Sequence, residues 1–111
     1  MKIETRKTET SVILDLVGNI RTSEDYSEFK KSIDEVIDKG AAKIIMNFAE
    51  VRFINSSGLG RLVLAAKKIK ESNGVLGIIN LSDDLKELFM FTRLDTKISI
   101  FKSEEEAVKG M

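Results

Sequence analysis

Three short apolar runs rich in β-branched residues alternate with longer amphipathic segments, and this alternation constrains the fold more than any other feature. The runs are residues 11–18, 43–48 and 75–80. Each has the length and composition of a strand buried inside a sheet. The segments between them carry apolar residues at helical spacing. Strands that alternate with helices predict an α/β domain with a mostly parallel sheet.

Weaker signals complete the pattern. Residues 3–7 predict a charged edge strand, and residues 98–101 predict the last strand. Helices are expected to start at Thr22 or Ser23, near residue 57, after Ser82 and at Ser103, where hydroxyl residues stand in capping positions. We therefore expect residues 1–111 to form one domain. It should have a mixed, mostly parallel sheet, an antiparallel edge strand and about four helices, which leave one face of the sheet less covered.

Four apolar residues have no clear assignment from the sequence alone. Met46, Phe89, Met90 and Phe91 fit either a core or an interface. Apolar stripes usually face the core. Met90 and Phe91 lie near a predicted helix end, where they are the better candidates for exposure.

The composition excludes several classes of function. Lys plus Arg equals Asp plus Glu, at 18 each, so no excess positive charge favours nucleic acid as the main partner. The chain contains no cysteine and no histidine, which removes thiolate metal sites, the usual zinc ligand and the commonest general base. We see no signal peptide and no apolar run long enough to span a membrane. The expectation is a cytoplasmic protein without metal or cofactor.

The segment at residues 51–60, Val-Arg-Phe-Ile-Asn-Ser-Ser-Gly-Leu-Gly, is the candidate site. It follows a predicted strand and opens a helix, a position where open α/β sheets gather function. In one interpretation, Asn55 or Ser56 simply caps the helix and the glycines allow close packing. In the other, Gly58 and Gly60 keep a surface open for another molecule. Each glycine costs about 1 kcal/mol in a helix relative to alanine, and alanine should serve close packing nearly as well.

A phosphoserine would also suit this position. Phosphate at a helix N-terminus meets free backbone N–H groups and the positive end of the helix dipole. It adds a charge of about −1.5 to −2 at neutral pH. A partner that packs there would have to desolvate that charge, so phosphorylation would break binding without unfolding the domain.

Residues 51–60 resemble the signature of the STAS domain family, and more narrowly of the small stand-alone bacterial anti-sigma factor antagonists. The resemblance extends to Gly18, to the strand at residues 44–48 and to residues 85–94. It implies partner switching. The unphosphorylated antagonist binds an anti-sigma factor that is also a serine kinase, which frees the sigma factor. The kinase then phosphorylates the antagonist, and a metal-dependent serine phosphatase resets it.

The resemblance also implies roles for individual residues. The first serine of the motif, Ser56, matches the phosphate acceptor. The docking surface would contain Asn55, Ser57, Gly58, Leu59 and Gly60. The sequence departs from the pattern at Asn55, where the phosphorylated antagonists usually carry aspartate.

Other functions are less well supported. A nucleophilic Ser56 would need a nearby base, but the chain has no histidine and no Gly-X-Ser-X-Gly elbow. The Gly58–Gly60 stretch is too short for a phosphate-binding loop and lacks its Lys-Ser/Thr pair. A phosphate-receiver domain would need clustered aspartates, whereas Asp15 lies alone inside a strand. A non-switching STAS scaffold and a nucleotide-binding module stay open as alternatives.

Overall fold

A computed structural model describes all 111 residues. It contains five strands, four α-helices and one short 3₁₀ helix, Leu94–Thr96. The strands are β1 (Lys2–Lys7), β2 (Val12–Val17), β3 (Lys43–Glu50), β4 (Val75–Ile79) and β5 (Ser99–Phe101). The helices are α1 (Ser23–Asp38), α2 (Ser56–Glu71), α3 (Asp83–Phe91) and α4 (Glu104–Gly110).

The five strands form one sheet in the order β1-β2-β3-β4-β5. The β1–β2 pair is antiparallel and the other three pairs are parallel. This confirms the predicted fold class, including the charged antiparallel edge. Each crossover leads to the next neighbour in the same direction, and such crossovers are right-handed. The three connecting helices therefore fall on the same face of the sheet.

The main core lies between the sheet and helices α1, α2 and α3, and 21 buried apolar residues form it. Phe48 of β3 and Phe89 of α3 pack edge to face in this core, with ring centroids 6.4 Å apart. Met46 is also fully buried, whereas Met90 and Phe91 are 64% and 89% exposed. The structure thus separates two core residues from two surface residues within the set whose location the sequence left open.

The opposite face of the sheet is only partly covered. Helix α4 packs Ala107 against Ile13, Ile45 and Ile79 in a second, four-residue cluster. This confirms that one face has fewer helices.

Beyond α4, the same face carries a row of polar side chains across three strands. Arg6 donates to both carboxylate oxygens of Asp15, at 2.5 and 3.0 Å, and to Glu104 of α4 at 3.0 Å. The Asn47 amide donates to Asp15 at 2.8 Å, and Asn80 donates to Asn47 at 3.0 Å. The hydrogen bond from Arg6 holds the pKa of Asp15 below its usual range. Asp15 is therefore bound by Arg6 and Asn47 in this row. A phosphate-receiver site would require further aspartates beside it, and none of its partners is an aspartate.

Local sequence signals set the helix ends. The predicted caps at Thr22, Ser82 and Ser103 each accept a backbone N–H in the first turn of their helix. Helix α1 stops before Gly40, whose φ of +82° lies in the left-handed region that glycine adopts without strain. Strand β3 extends two residues beyond the predicted end. No helix of the structure has the length and apolar character needed to cross a membrane.

Replacement of Phe89 by alanine should lower the free energy of unfolding by about 3–5 kcal/mol, because it empties a fully buried site beside Phe48. Phe91→Ala is the matched control. Its ring is 89% exposed, so the change should stay within about 0.5 kcal/mol. Urea unfolding of both variants measures the difference. Equal losses would contradict the assignment of the two rings to core and surface.

Candidate functional site

The loop between β3 and α2 is fastened to the loop that follows β2. Ile20 and Ile54 form an isolated parallel bridge. The Ile20 N–H donates to the Phe53 carbonyl at 3.1 Å, and the Asn55 N–H donates to the Ile20 carbonyl at 3.2 Å. The Asn19 side-chain oxygen accepts the N–H groups of Arg52 and Phe53 at 3.2 and 3.1 Å. These contacts fix the loop at the carboxyl ends of β2 and β3, which is where the sequence predicts the site.

Asn55 is the N-cap of α2, and both its side-chain oxygen and its side-chain nitrogen make hydrogen bonds. Its oxygen accepts the Gly58 N–H at 2.7 Å and the Tyr26 hydroxyl at 2.8 Å. Its amide nitrogen donates to the Arg21 carbonyl at 3.2 Å. An aspartate could cap the helix but has no hydrogen to donate to that carbonyl. The asparagine therefore links α1, the β2–α1 loop and α2 without adding charge.

Ser56 and Ser57 are the first two residues of α2, and both are exposed. Their backbone N–H groups have no acceptor within the protein, as is usual at the start of a helix. The first turn of α2 contains no acidic residue. The Arg61 guanidinium lies 5.5 Å from the centre of the Tyr26 ring. The helix end is therefore open, electropositive and rich in hydrogen-bond donors.

The two glycines of the motif have different surroundings. A Cβ atom on Gly58 would lie 2.7 Å from Ile54 Cγ1 and 2.9 Å from the Ile20 carbonyl oxygen. The expectation that alanine would serve close packing nearly as well is therefore wrong at Gly58, where helix and loop approach too closely for any side chain. A Cβ atom on Gly60 would meet nothing within 4 Å. Only Gly60 keeps an exposed surface free.

The predicted site residues thus divide by exposure. Ser56, Ser57 and Gly60 are exposed, and Ser56 and Gly60 lie one turn apart on the same side of α2. Asn55 and Leu59 are half-buried, whereas Gly58 is buried. None of the five principal clefts of the surface is lined by these residues. The site is an exposed helix end on the surface.

Sequence reasoning missed three residues that shape this site. Tyr26 fits the helical spacing of the apolar residues in its segment, and nothing in the sequence indicates that its hydroxyl donates to the Asn55 side-chain oxygen. Asn19 holds the loop, and the Gly18-Asn19 pair is a turn signal that could have indicated it. Phe53 lies within the motif but was given no role, and it is 49% exposed two residues before Asn55. Nothing local in the sequence distinguishes it from the buried Val51 and Ile54.

Asp25 holds the backbone of the β2–α1 loop that contacts the site. Its carboxylate accepts the N–H groups of Arg21 and Thr22 at 3.0 and 2.9 Å and the ammonium group of Met1 at 3.1 Å. Burial by itself raises the pKa of Asp25, but the hydrogen bonds from Arg21, Met1 and Thr22 outweigh it and lower the pKa to about 2. The charged carboxylate thereby fixes the backbone of Arg21. The carbonyl of Arg21 in turn accepts the hydrogen bond from the Asn55 side-chain amide. No group of three or more His, Cys, Asp or Glu side chains is placed to hold a metal ion.

Comparison with known proteins identifies the family. The family model described as "STAS domain" matches residues 2–107. The chain belongs to the STAS domain family. The match covers both elements of the site, the β2–α1 loop and the start of α2, so the predicted resemblance is confirmed.

Several proteins that this STAS protein is similar to are named as candidate anti-sigma factor antagonists or as SpoIIAA. A candidate anti-sigma factor antagonist from Thermotoga maritima is 30% identical over 82 residues, which cover 73% of each chain. The crystal structure of a candidate antagonist from T. maritima has a TM-score of 0.84 at 26% identity and covers 97% of this chain and 92% of its own. The phosphorylated form of the Bacillus cell fate determinant SpoIIAA has a TM-score of 0.73 at 24% identity, with 98% of each chain covered. The last likeness is one of fold.

The glycine assignment predicts opposite effects for two small substitutions. Gly58→Ala should lower the free energy of unfolding by about 1–3 kcal/mol, because its Cβ would press on the Ile20 carbonyl and Ile54. Gly60→Ala should raise it by up to about 1 kcal/mol, because alanine favours a helix and meets nothing there. Urea unfolding of both variants is the measurement. A Gly58→Ala protein with an unchanged free energy of unfolding would contradict the close approach of Ile20 and Ile54 to Gly58.

The Asp25 carboxylate makes stability depend on pH. Its folded-state pKa of about 2 lies below the value of about 3.9 for an unfolded aspartate. Its contribution is therefore present above pH 4 and is lost as the pH falls toward 2. Asp25→Asn should cost about 1–2 kcal/mol near neutral pH. Urea unfolding of both proteins should show this difference shrink between about pH 5 and pH 2.5. A difference independent of pH would contradict the role of the charge.

Proposed function

We propose that this STAS protein is an anti-sigma factor antagonist that works by partner switching. In its unphosphorylated form it binds an anti-sigma factor serine kinase and frees the sigma factor. Phosphorylation of Ser56 reverses the binding, and a serine phosphatase restores it. The observation that carries the proposal is the placement of Ser56, which is exposed at the start of α2 beside free N–H groups.

The surroundings of Ser56 can accept a phosphate. The free N–H groups of Ser56 and Ser57 and the positive dipole end both favour a negative charge. Because Asn55 is neutral and the first turn lacks acidic residues, no carboxylate of the helix start opposes the phosphate. The buried contacts of Gly58 and the cap at Asn55 do not involve the Ser56 side chain. Phosphorylation should therefore leave the fold intact.

The same placement explains why binding would be lost. A partner that covers Ser57, Gly60 and the half-exposed ring of Phe53 must also cover Ser56. A charge of about −1.5 to −2 would then have to leave water. In this proposal, Asn55, Gly58 and Leu59 form the supporting layer of the docking surface. The exposed atoms of Ser57 and Gly60 make the contacts.

The comparisons support the regulatory role. The relatives from Thermotoga maritima are named as candidate anti-sigma factor antagonists. SpoIIAA, an anti-sigma factor antagonist with the same fold, has been solved in unphosphorylated and phosphorylated forms. The proposal gives this protein a binding role and no catalytic one.

The test measures the affinity of the unmodified protein and three variants for a cognate anti-sigma factor kinase by titration calorimetry. Ser56→Asp should weaken binding by about 2–4 kcal/mol, roughly 30- to 1,000-fold, whereas Ser56→Ala should bind like the unmodified protein. Thr10→Asp adds the same charge to the exposed β1–β2 turn, at the opposite end of the sheet, and should change nothing. Equal binding by all four proteins would contradict the switch and leave a non-switching scaffold.

Incubation of the unmodified protein, Ser56→Ala and Ser57→Ala with the kinase and ATP locates the acceptor. Mass spectrometry should show one added phosphate on the unmodified protein and on Ser57→Ala, and none on Ser56→Ala. A phosphate on Ser57 would refute the assignment of Ser56. Titration with ATP or GTP alone separates out the alternative of a nucleotide-binding module, which would bind without any kinase.

A further inference from the structure

A groove runs along the second half of α2, away from the candidate site. It lies between α2 and the segment that joins the 3₁₀ helix to β5, and its volume is about 490 Å³. Its apolar floor includes Val63 of α2 together with Leu94 and Ile98. Val63 is 38% exposed, whereas Leu94 and Ile98 are buried. The groove therefore offers apolar surface that no part of this chain covers.

Three lysines and no carboxylate line this groove. Lys67 and Lys70 come from α2, and Lys97 comes from the facing segment. None of the three makes an ion pair, whereas the neighbouring Lys68 pairs with Asp34 of α1 on the other side of α2. The helix dipole favours a lysine in the last turn, which accounts for Lys70. It does not account for Lys97, which belongs to a different element.

We propose that this groove binds an acidic amphipathic helix of a partner protein. Apolar side chains spaced three and four residues apart would lie on the floor formed by Val63, Leu94 and Ile98. Acidic side chains beside them would pair with the three free ammonium groups, which supply the charge complementarity.

Other occupants fit these features less well. A nucleic acid would leave the apolar floor without a partner, and the chain as a whole carries no net charge. A second copy could offer the acidic start of α4, Glu104–Glu106, but the apolar side of that helix is already packed on the sheet through Ala107. An acidic helix from another protein satisfies both the floor and the lysines.

The groove is separate from the phosphorylation site. Val63 and Lys70 follow Ser56 by seven and fourteen residues, which places them about 10 and 20 Å further along the helix axis. Ser56 does not line the groove, so a partner whose contacts stay within the groove would leave Ser56 uncovered. Binding there should not depend on the charge of Ser56.

The experiment uses a fluorescein-labelled helical peptide of about 18 residues, built from Glu and Leu with the leucines on one face. Fluorescence anisotropy should show binding to the full-length protein. The triple change Lys67→Gln, Lys70→Gln and Lys97→Gln should weaken it at least about tenfold. The matched control changes Lys31, Lys86 and Lys102 to Gln, which removes the same charge outside the groove, and should bind like the unmodified protein.

Two further comparisons test the apolar floor and the independence from Ser56. Val63→Ser should weaken binding, whereas Leu64→Ser, one residue on and facing α1, should not. Ser56→Asp should bind the peptide unchanged, so a failure of this proposal is distinguishable from a failure of partner switching. A peptide of the same composition with scrambled order should not bind.

Several results would overturn the proposal. One is equal loss of binding in both lysine triples, which would indicate a general charge effect. Another is a set of amide shift changes in NMR spectra that centres outside α2 and residues 94–98. A dimer in sedimentation that the groove triple abolishes would assign the groove to a second copy. Binding to phosphatidylglycerol vesicles without binding to the peptide would assign it to a lipid surface.

Discussion

The candidate site depends on the hydrogen bonds of one side chain, that of Asn55. Its oxygen caps α2 through Gly58 and meets the Tyr26 hydroxyl of α1, while its nitrogen meets the Arg21 carbonyl. A single neutral amide thus determines where α2 begins and how that end sits against the preceding loop. Because Asn55 makes the capping hydrogen bond, the side chains of the serines that follow are not needed for it and remain exposed to solvent. The close packing of Gly58 follows from the same arrangement.

The charge on α2 changes along its length. Its first turn has no acidic residue, and its last turn carries Lys68 and Lys70. The start of the helix is therefore positive through its backbone. Lys68 is paired with Asp34, so the positive charge of the second half comes from the unpaired Lys67 and Lys70 on the groove side. The same helix thus offers two electropositive surfaces, and the proposed phosphorylation of Ser56 would neutralise the first. The proposed groove uses only the second.

Much of the fold was accessible from local sequence. The β-branched runs predicted every internal strand, and the hydroxyl residues at Thr22, Ser82 and Ser103 predicted the helix starts, because both signals act over a few residues. The start of α2 was predicted for the same reason. The bond between Tyr26 and Asn55 joins residues 29 positions apart, and no local pattern encodes such a contact.

Two other features needed the folded chain. The packing role of Gly58 depends on the approach of the Ile20 carbonyl, which belongs to a different loop. The 3₁₀ helix follows Arg93, whose φ of +62° lies in the left-handed region. Glycine is the residue that usually indicates this conformation in a sequence, and none is present here. The division of Phe89 and Phe91 between core and surface required knowledge of the direction in which α3 meets the sheet.

The sequential order of the strands also determines how the sheet ends. One edge is β1, whose exposed charged side chains discourage pairing with another chain. The other edge is β5, which is only three residues long. Its neighbour β4 is almost entirely buried and apolar. If β5 were displaced, β4 would become the edge of the sheet, and its unpaired backbone groups and apolar side chains would be open to pairing with another chain.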